Sequence, residues 1–174
     1  RSNPASFKNK LPESHDQPKK KRAELGKYLE LLGITDSKGM VIPKMASKFK
    51  QINKYLEIIE NLLKNSDLSK TISIVDMGSG KGYLTFALYD YLVNQRKRDV
   101  TITGIELREG LVDFCNQTAE ACGFKGLNFV RQSIQEYKPK KLDVLIALHA
   151  CDTATDDALF KAISGNANLI ITAP

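Results

Sequence analysis

The segment Asp76-Met77-Gly78-Ser79-Gly80-Lys81-Gly82 follows an apolar run and leads straight into YLTFALYDYL, so that three glycines fall within five residues of a strand-to-helix turn. Such a turn lets backbone approach a ligand closely and presents helix amides to it. Spacing separates the ligand classes. A phosphate-cradling Gly-x-x-x-x-Gly-Lys-Ser/Thr loop fails, because Val75 stands where its first glycine is needed and Gly82 follows Lys81. A dinucleotide Gly-x-Gly-x-x-Gly fingerprint fails too, since its third glycine would fall on Tyr83. What remains is Asp-x-Gly-x-Gly-x-Gly. Thirty residues after Asp76, Glu106 closes the next apolar run. A carboxylate at a strand tip accepts two hydrogen bonds from a vicinal diol, which is the chemistry of ribose recognition.

Placing these residues together requires strands that end side by side. TISIVD (71–76), VTITGIE (100–106), GLNFVR (126–131), LDVLIALH (142–149) and ANLIITA (167–173) read as strands, rich in Ile, Val and Leu with little polar alternation, the pattern of burial on both faces. Helices are expected between them at about 82–96, 109–122 and 153–164, the second carrying Leu111, Cys115, Thr118 and Cys122 on one stripe. Repeated units of this kind predict an α/β fold with a doubly wound parallel sheet, in which ligands bind beyond the carboxyl ends of the strands. Ahead of it, AELGKYLELLG predicts a short amphipathic helix through Leu25, Tyr28, Leu29 and Leu32, ended by Gly33 and followed by a turn over Asp36–Gly39. Pro43 then opens a long helix whose buried stripe is Met45, Phe49, Ile52, Leu56, Ile59 and Leu63. Lys44, Lys48, Lys50 and Lys54 fall on its other face, either its solvated side or an extension of a basic surface. The chain thus divides into an arm (1–22), a helical segment (23–70) and a sheet domain (71–174).

Asp-x-Gly-x-Gly-x-Gly resembles the first motif of class I S-adenosylmethionine (SAM)-dependent methyltransferases, whose fold is Rossmann-like. The resemblance implies SAM as cofactor, with Gly78, Ser79, Gly80 and Gly82 along its methionyl portion and Asp76 anchoring its ammonium group, usually through water. It also implies Glu106, with the adjoining Leu107, at the ribose. After the third strand the family usually sets an Asp against the adenine amino group. Here Gln132-Ser133-Ile134 stands instead, so that Ser133 or Gln132 is left to make the polar contact and Ile134 the apolar one.

After the fourth strand, neither the Asn/Asp-Pro-Pro-aromatic motif of amino-directed nucleobase methylases nor the Pro-Cys of cytosine-carbon methylases is found. Leu148-His149-Ala150-Cys151-Asp152-Thr153-Ala154-Thr155-Asp156 is similar instead to a Leu-His-x-Cys-x-x-Ala-Thr-Asp segment. That segment occurs in a group of methyltransferase-like proteins and in tRNA ribose 2′-O-methyltransferases acting on the acceptor stem. His149 is open to three readings: a cofactor contact, a substrate-facing catalytic base, or a packing histidine. Asp152 is a candidate catalytic residue or a cap at the helix start, and Thr153 with Asp156 fits a capping box. The stretch from Leu32 to Leu63 also resembles the lead-in helices of the methyltransferase-like group. Those relatives continue past an Ala-Pro such as Ala173-Pro174 with a Cys-Cys-His segment, and a class I sheet has seven strands where five are found here. The chain is therefore expected to be a fragment that binds SAM weakly and turns nothing over alone.

Charge is spread unevenly. Residues 1–70 hold 15 Lys and Arg against 8 Asp and Glu, whereas residues 71–174 hold 11 against 12, so the whole excess of the +6 chain precedes the sheet domain. The first 22 residues contain three prolines and end in the basic run Lys19-Lys20-Lys21-Arg22, which marks an arm disordered until a partner binds it. Such an arm is either a solvated basic tail that aids solubility or the footprint of a phosphate backbone, and on the second reading RNA (tRNA or rRNA) is the expected partner and methyl acceptor. Competing readings are a protein or small-molecule acceptor, and a SAM-binding module that regulates a partner without transfer of its own. No run of about 18 apolar residues and no secretion signal occurs, and three cysteines at spacings that fit no zinc or disulfide pattern suit a reducing compartment. A soluble, cytoplasmic protein is expected, with Cys115 and Cys122 as packing residues.

Overall fold

The computed structural model describes residues 26–64, 66, 71–148 and 153–172, with the side chains of 153–155 left out. The basic arm, Leu25, His149, Cys151, Asp152, the Ala173-Pro174 end and the Thr153 side chain therefore lie outside the described residues.

Strands β1 (Thr71–Met77), β2 (Asp99–Glu106), β3 (Leu127–Arg131), β4 (Val144–Ala147) and β5 (Leu169–Thr172) form one parallel sheet. Their order is β3-β2-β1-β4-β5, so the winding reverses between β1 and β4, and a crevice opens there beyond the strand ends. Every residue of β4 is buried, as a strand covered on both faces must be. The register pairs Asp76 with Gly104 and Ile146, and Glu106 with Arg131, which brings the two acids to the tips of adjacent strands.

The helices are α1 (Lys27–Leu31), α2 (Ala46–Lys64), α3 (Tyr83–Tyr89), α4 (Glu109–Ala121) and α5 (Thr153–Ser164). Pro43 opens a 3-10 turn, Pro43–Met45, that runs into α2, while Asp36 Oδ1 accepts the amides of Lys38 and Met40 in the preceding turn. The single α-helix expected over 82–96 is instead α3 followed by a π-helical turn, Asp90–Gln95. Leu84 through Leu92 are all buried, so no solvent-facing stripe holds the 3.6-residue period, and Asp90 braces the wider turn by accepting from Asn94 and Gln95.

One core joins the N-terminal helices to the sheet: Tyr28, Leu29, Ile52, Leu56 and Ile59 pack with Ile72, Ile74, Ile102 and Phe86. A second core places Ala158 and Ala162 of α5 against Val75, Met77, Ile105 and Leu145. On α2 the expected stripe is buried except at its start, where Met45 is only partly covered, and it is widened by Tyr55 and Glu60. Phe129 of β3 stacks on Phe86 with ring centroids 5.4 Å apart. That stack crosses β2 at Gly104, where a Cβ would stand 2.4 Å from the Phe129 ring, so only glycine fits there.

Candidate functional site

The glycine turn is built from short backbone bonds and left-handed residues. The amides of Gly78 and Ser79 both donate to the carbonyl of Ile105, at 2.9 and 3.0 Å, which fastens the turn to β2. Gly78, Gly80 and Gly82 have φ of 76°, 58° and 69°, values that a side-chain-bearing residue adopts only with strain. Gly82, at the start of α3, is buried, and a Cβ there would lie 3.0 Å from both Phe129 and Phe86. Its role is therefore packing beneath the turn, whereas Gly78 and Gly80 face the cavity above it.

That cavity, about 370 Å³, lies at the carboxyl ends of β1 and β2 and is lined by Asp76, Gly78, Ser79, Gly80, Lys81, Glu106 and Arg108. Tyr83 and Leu84 of α3, Leu148 beyond β4 and Lys48 of α2 complete the lining. Glu106 is the most heavily bonded group in it. Its Oε1 accepts from the amides of Leu107 (2.9 Å) and Arg108 (3.0 Å) and from Arg108 Nε (2.9 Å). Its Oε2 accepts from the Gly80 amide (3.0 Å) and from an Arg108 terminal nitrogen (3.0 Å). The Arg108 side-chain bonds, ahead of the backbone amides, hold this carboxyl below its ordinary range despite burial. Glu106 thus does two things: it ties the glycine turn to the tip of β2, and it presents a carboxylate that the mostly exposed Arg108 side chain covers.

Asp76 is in the opposite condition. Burial raises its carboxyl from the ordinary 3.8 to about 6, against the lowering effect of the Thr85 hydroxyl that donates to it at 2.6 Å. Tyr55 of α2 reaches the same region, and its phenol is pushed up by burial first and by the Asp76 charge second. Cys115 is an inert neighbour, its thiol raised to about 12 by burial and by the nearby Glu106 charge.

Of the residues expected at the cofactor, Asp76, Gly78, Ser79, Gly80 and Glu106 share this cavity. Leu107 is exposed and meets Glu106 through its amide. The Ser133 hydroxyl accepts the Glu136 amide at 3.2 Å within a turn, and Ile134 packs toward the second core, so neither is among the cavity-lining residues. His149 and Asp152 lie outside the described residues. Lys48, Tyr55, Thr85 and Arg108 were not assigned to the site from sequence. A weak signal existed for two of them: Lys48 and Tyr55 are seven apart on one helix, and therefore on one face of it.

The chain's own residues fit SAM. A cavity of about 370 Å³ is within the range for a ligand of that size, roughly 300–1,000 Å³. The Gly80 position is open on the cavity side, since a Cβ there would meet only an Arg108 terminal nitrogen at 3.8 Å. Glu106 offers the acceptors that a ribose diol needs, at present bonded by the mostly exposed Arg108 head.

A family described as "Methyltransferase domain" matches residues 47–174. No curated protein matches the chain. Among solved structures, an rRNA methylase from Streptococcus thermophilus is similar in fold, with 13% identity, a TM-score of 0.51 and coverage of 66% of this chain and 63% of that one. The [4+2]-cyclase SpnF gives 17% identity and a TM-score of 0.50 over 66% of this chain and 43% of its own. A SAM-dependent methyltransferase from Thiobacillus denitrificans, in complex with S-adenosyl-L-homocysteine, gives 22% identity and a TM-score of 0.46 over 62% and 43%. The chain spans less than two thirds of the length of each of these solved structures. With the family match covering most of the chain, the sheet order and the glycine turn beside Glu106, the chain belongs to the methyltransferase domain family, with a class I Rossmann-like fold and S-adenosylmethionine as its cofactor.

Proposed function

We propose that this chain is the cofactor-binding part of an RNA methyltransferase. The observation that carries the methyltransferase half of this reading is the cavity in which Glu106, the glycine turn and Asp76 converge at the strand tips. SAM supplies a methyl carbon activated by a sulfonium. Glu106 holds the ribose hydroxyls, the open face of Gly78 and Gly80 lets the backbone lie against the ligand, and Asp76 in its ionised form anchors the ammonium group. Alignment of the two reactants is the protein's main contribution, and a base is required only for a poorly nucleophilic acceptor such as a hydroxyl. His149, next in sequence to the cavity-lining Leu148, is the residue to test in that role, with Asp152 after it.

The RNA half rests on charge. The sheet domain is nearly neutral and cannot attract a polyanion by net charge, whereas residues 1–70 carry the entire excess. Lys44, Lys50 and Lys54 of the helical segment are exposed. The resemblance of the LHACDTATD segment to that of tRNA ribose methyltransferases points the same way. The fold by itself does not choose an acceptor, because one scaffold hosts many chemistries.

The test exposes total RNA and a protein lysate to the full-length enzyme, of which this chain is the cofactor-binding part, with methyl-labelled SAM. Label that enters RNA and is released by ribonuclease is the expected result. Label in protein or small molecules replaces the acceptor, and SAM binding with no transfer replaces the enzyme by a non-catalytic module.

A further inference from the structure

Lys48 belongs to the helical segment, yet it lines the cavity together with Asp76 and the glycine turn. Its ammonium is held over the Tyr83 ring, 5.7 Å from the centroid, and donates to Gln51 Oε1 at 2.6 Å. Among the described residues no carboxylate lies within ion-pair distance of it, although Lys54 and Lys64 on the same helix each have one. A partly covered cation in a cavity, positioned by an aromatic face and a neutral amide, is a charge held ready for an anion from outside the chain. Tyr55 lies two turns along the same helix face and is buried, and Lys48 lines the same cavity as Asp76, so this face of α2 is turned toward the body of the molecule and not toward solvent. Apart from the Glu106–Arg108 pair, the cavity therefore offers a buried acid, Asp76, together with the cations Lys48 and Lys81. An α-amino acid carries the complementary pair.

We propose that Lys48 binds the α-carboxylate of the methionyl group of SAM, while Asp76 takes its ammonium, so that α2 forms part of the cofactor site. This rests on the cofactor assignment above. It requires the helical segment for selection between SAM and analogues that lack the carboxylate: of the other cations lining the cavity, Arg108 is engaged by Glu106 and Lys81 is exposed, whereas Lys48 is positioned by Tyr83 and Gln51.

Calorimetry with SAM and with decarboxylated SAM, on the wild-type chain, Lys48→Met and Lys48→Arg, tests it. Loss of one charge-assisted contact is expected to weaken SAM binding by about 10- to 100-fold in Lys48→Met, with Lys48→Arg retaining most of the affinity. Decarboxylated SAM has two positive charges and no carboxylate, so its affinity is expected to stay the same or tighten when the lysine cation is removed. Equal weakening toward both ligands would make Lys48 merely structural, and unchanged SAM affinity would remove it from the site; either result overturns the proposal. A wild-type chain that binds neither ligand would sink the cofactor assignment itself, an outcome distinct from both.

Discussion

Burial of Asp76 at the tip of β1 favours its neutral form, whereas anchoring an ammonium group needs the carboxylate. The groups around it are Thr85 from α3 and Tyr55 from α2, with Lys48 and Glu106 on the same cavity. Two pH effects of opposite sign follow. In the ligand-free chain the carboxyl titrates higher than in the unfolded chain, so its contribution to stability is complete below about pH 4 and is lost as pH rises through about 6. Between pH 4.5 and 7.5 the loss amounts to roughly 2 kcal/mol and is expected to vanish in Asp76→Asn, as urea unfolding at the two pH values would show. Affinity for SAM moves the other way: if only the ionised form binds, the apparent Kd rises about tenfold per pH unit below pH 6 and is flat above it. A flat profile from pH 5 to 7 in the wild-type chain would contradict that role. Arg108 poses a separate question, since its head covers the carboxylate that the ribose needs. Arg108→Ala is expected to tighten adenosine binding by removing that competitor, and weakened binding would show that the guanidinium assists the ligand.

At the scale of the elements, the glycine turn is supported from below by a stack that no local pattern announces. Gly104→Ala forces a methyl against the Phe129 ring, 2.4 Å away, and overpacking of this kind costs about 1–3 kcal/mol. A lower urea midpoint is expected for Gly104→Ala, with part of the loss recovered when Phe129→Leu is added; wild-type stability in the single variant would mean that the ring is not held there. The strands were legible because each is a short apolar run closed by a turn, and the acids at the ends of β1 and β2 could be read from those runs. The role of Gly104 was not, because it depends on the lateral register of β2 against β3, which is set by residues 25 positions away. Lys48 and Tyr55 escaped for a different reason: a periodic stripe assigns each helix one buried face and consigns its lysines to solvent, whereas α2 is covered on a wider arc by the cavity and α3. Arg108 lies on an exposed turn, where periodicity carries no information. The π-helical turn after α3 was likewise invisible, since it continues the buried run through Asp90, Tyr91 and Leu92 and no local sequence signal marks the wider turn.

Across the molecule, a nearly neutral sheet domain supplies every residue lining the cofactor cavity except Lys48, and the basic excess lies in the residues that precede it. If the four residues Lys19, Lys20, Lys21 and Arg22 contact phosphates, the logarithm of RNA affinity is expected to fall with the logarithm of salt at a slope of about −3. Replacing the four with Ala should flatten that slope and leave SAM affinity unchanged, as filter binding of deacylated tRNA at several salt concentrations would show. Equal slopes in the two proteins would move the acceptor to a protein or small molecule. No described helix is long and apolar enough to cross a membrane. The central claim, that SAM lies in the cavity between the glycine turn and the tip of β2 with its ribose on Glu106, is tested most directly by calorimetric titration of SAM into the wild-type chain and Glu106→Ala. Loss of two charge-assisted hydrogen bonds is expected to weaken binding by about 2–4 kcal/mol, with the melting temperature of the free variant reporting separately on the Gly80 tie. Unchanged affinity in Glu106→Ala would contradict the assignment.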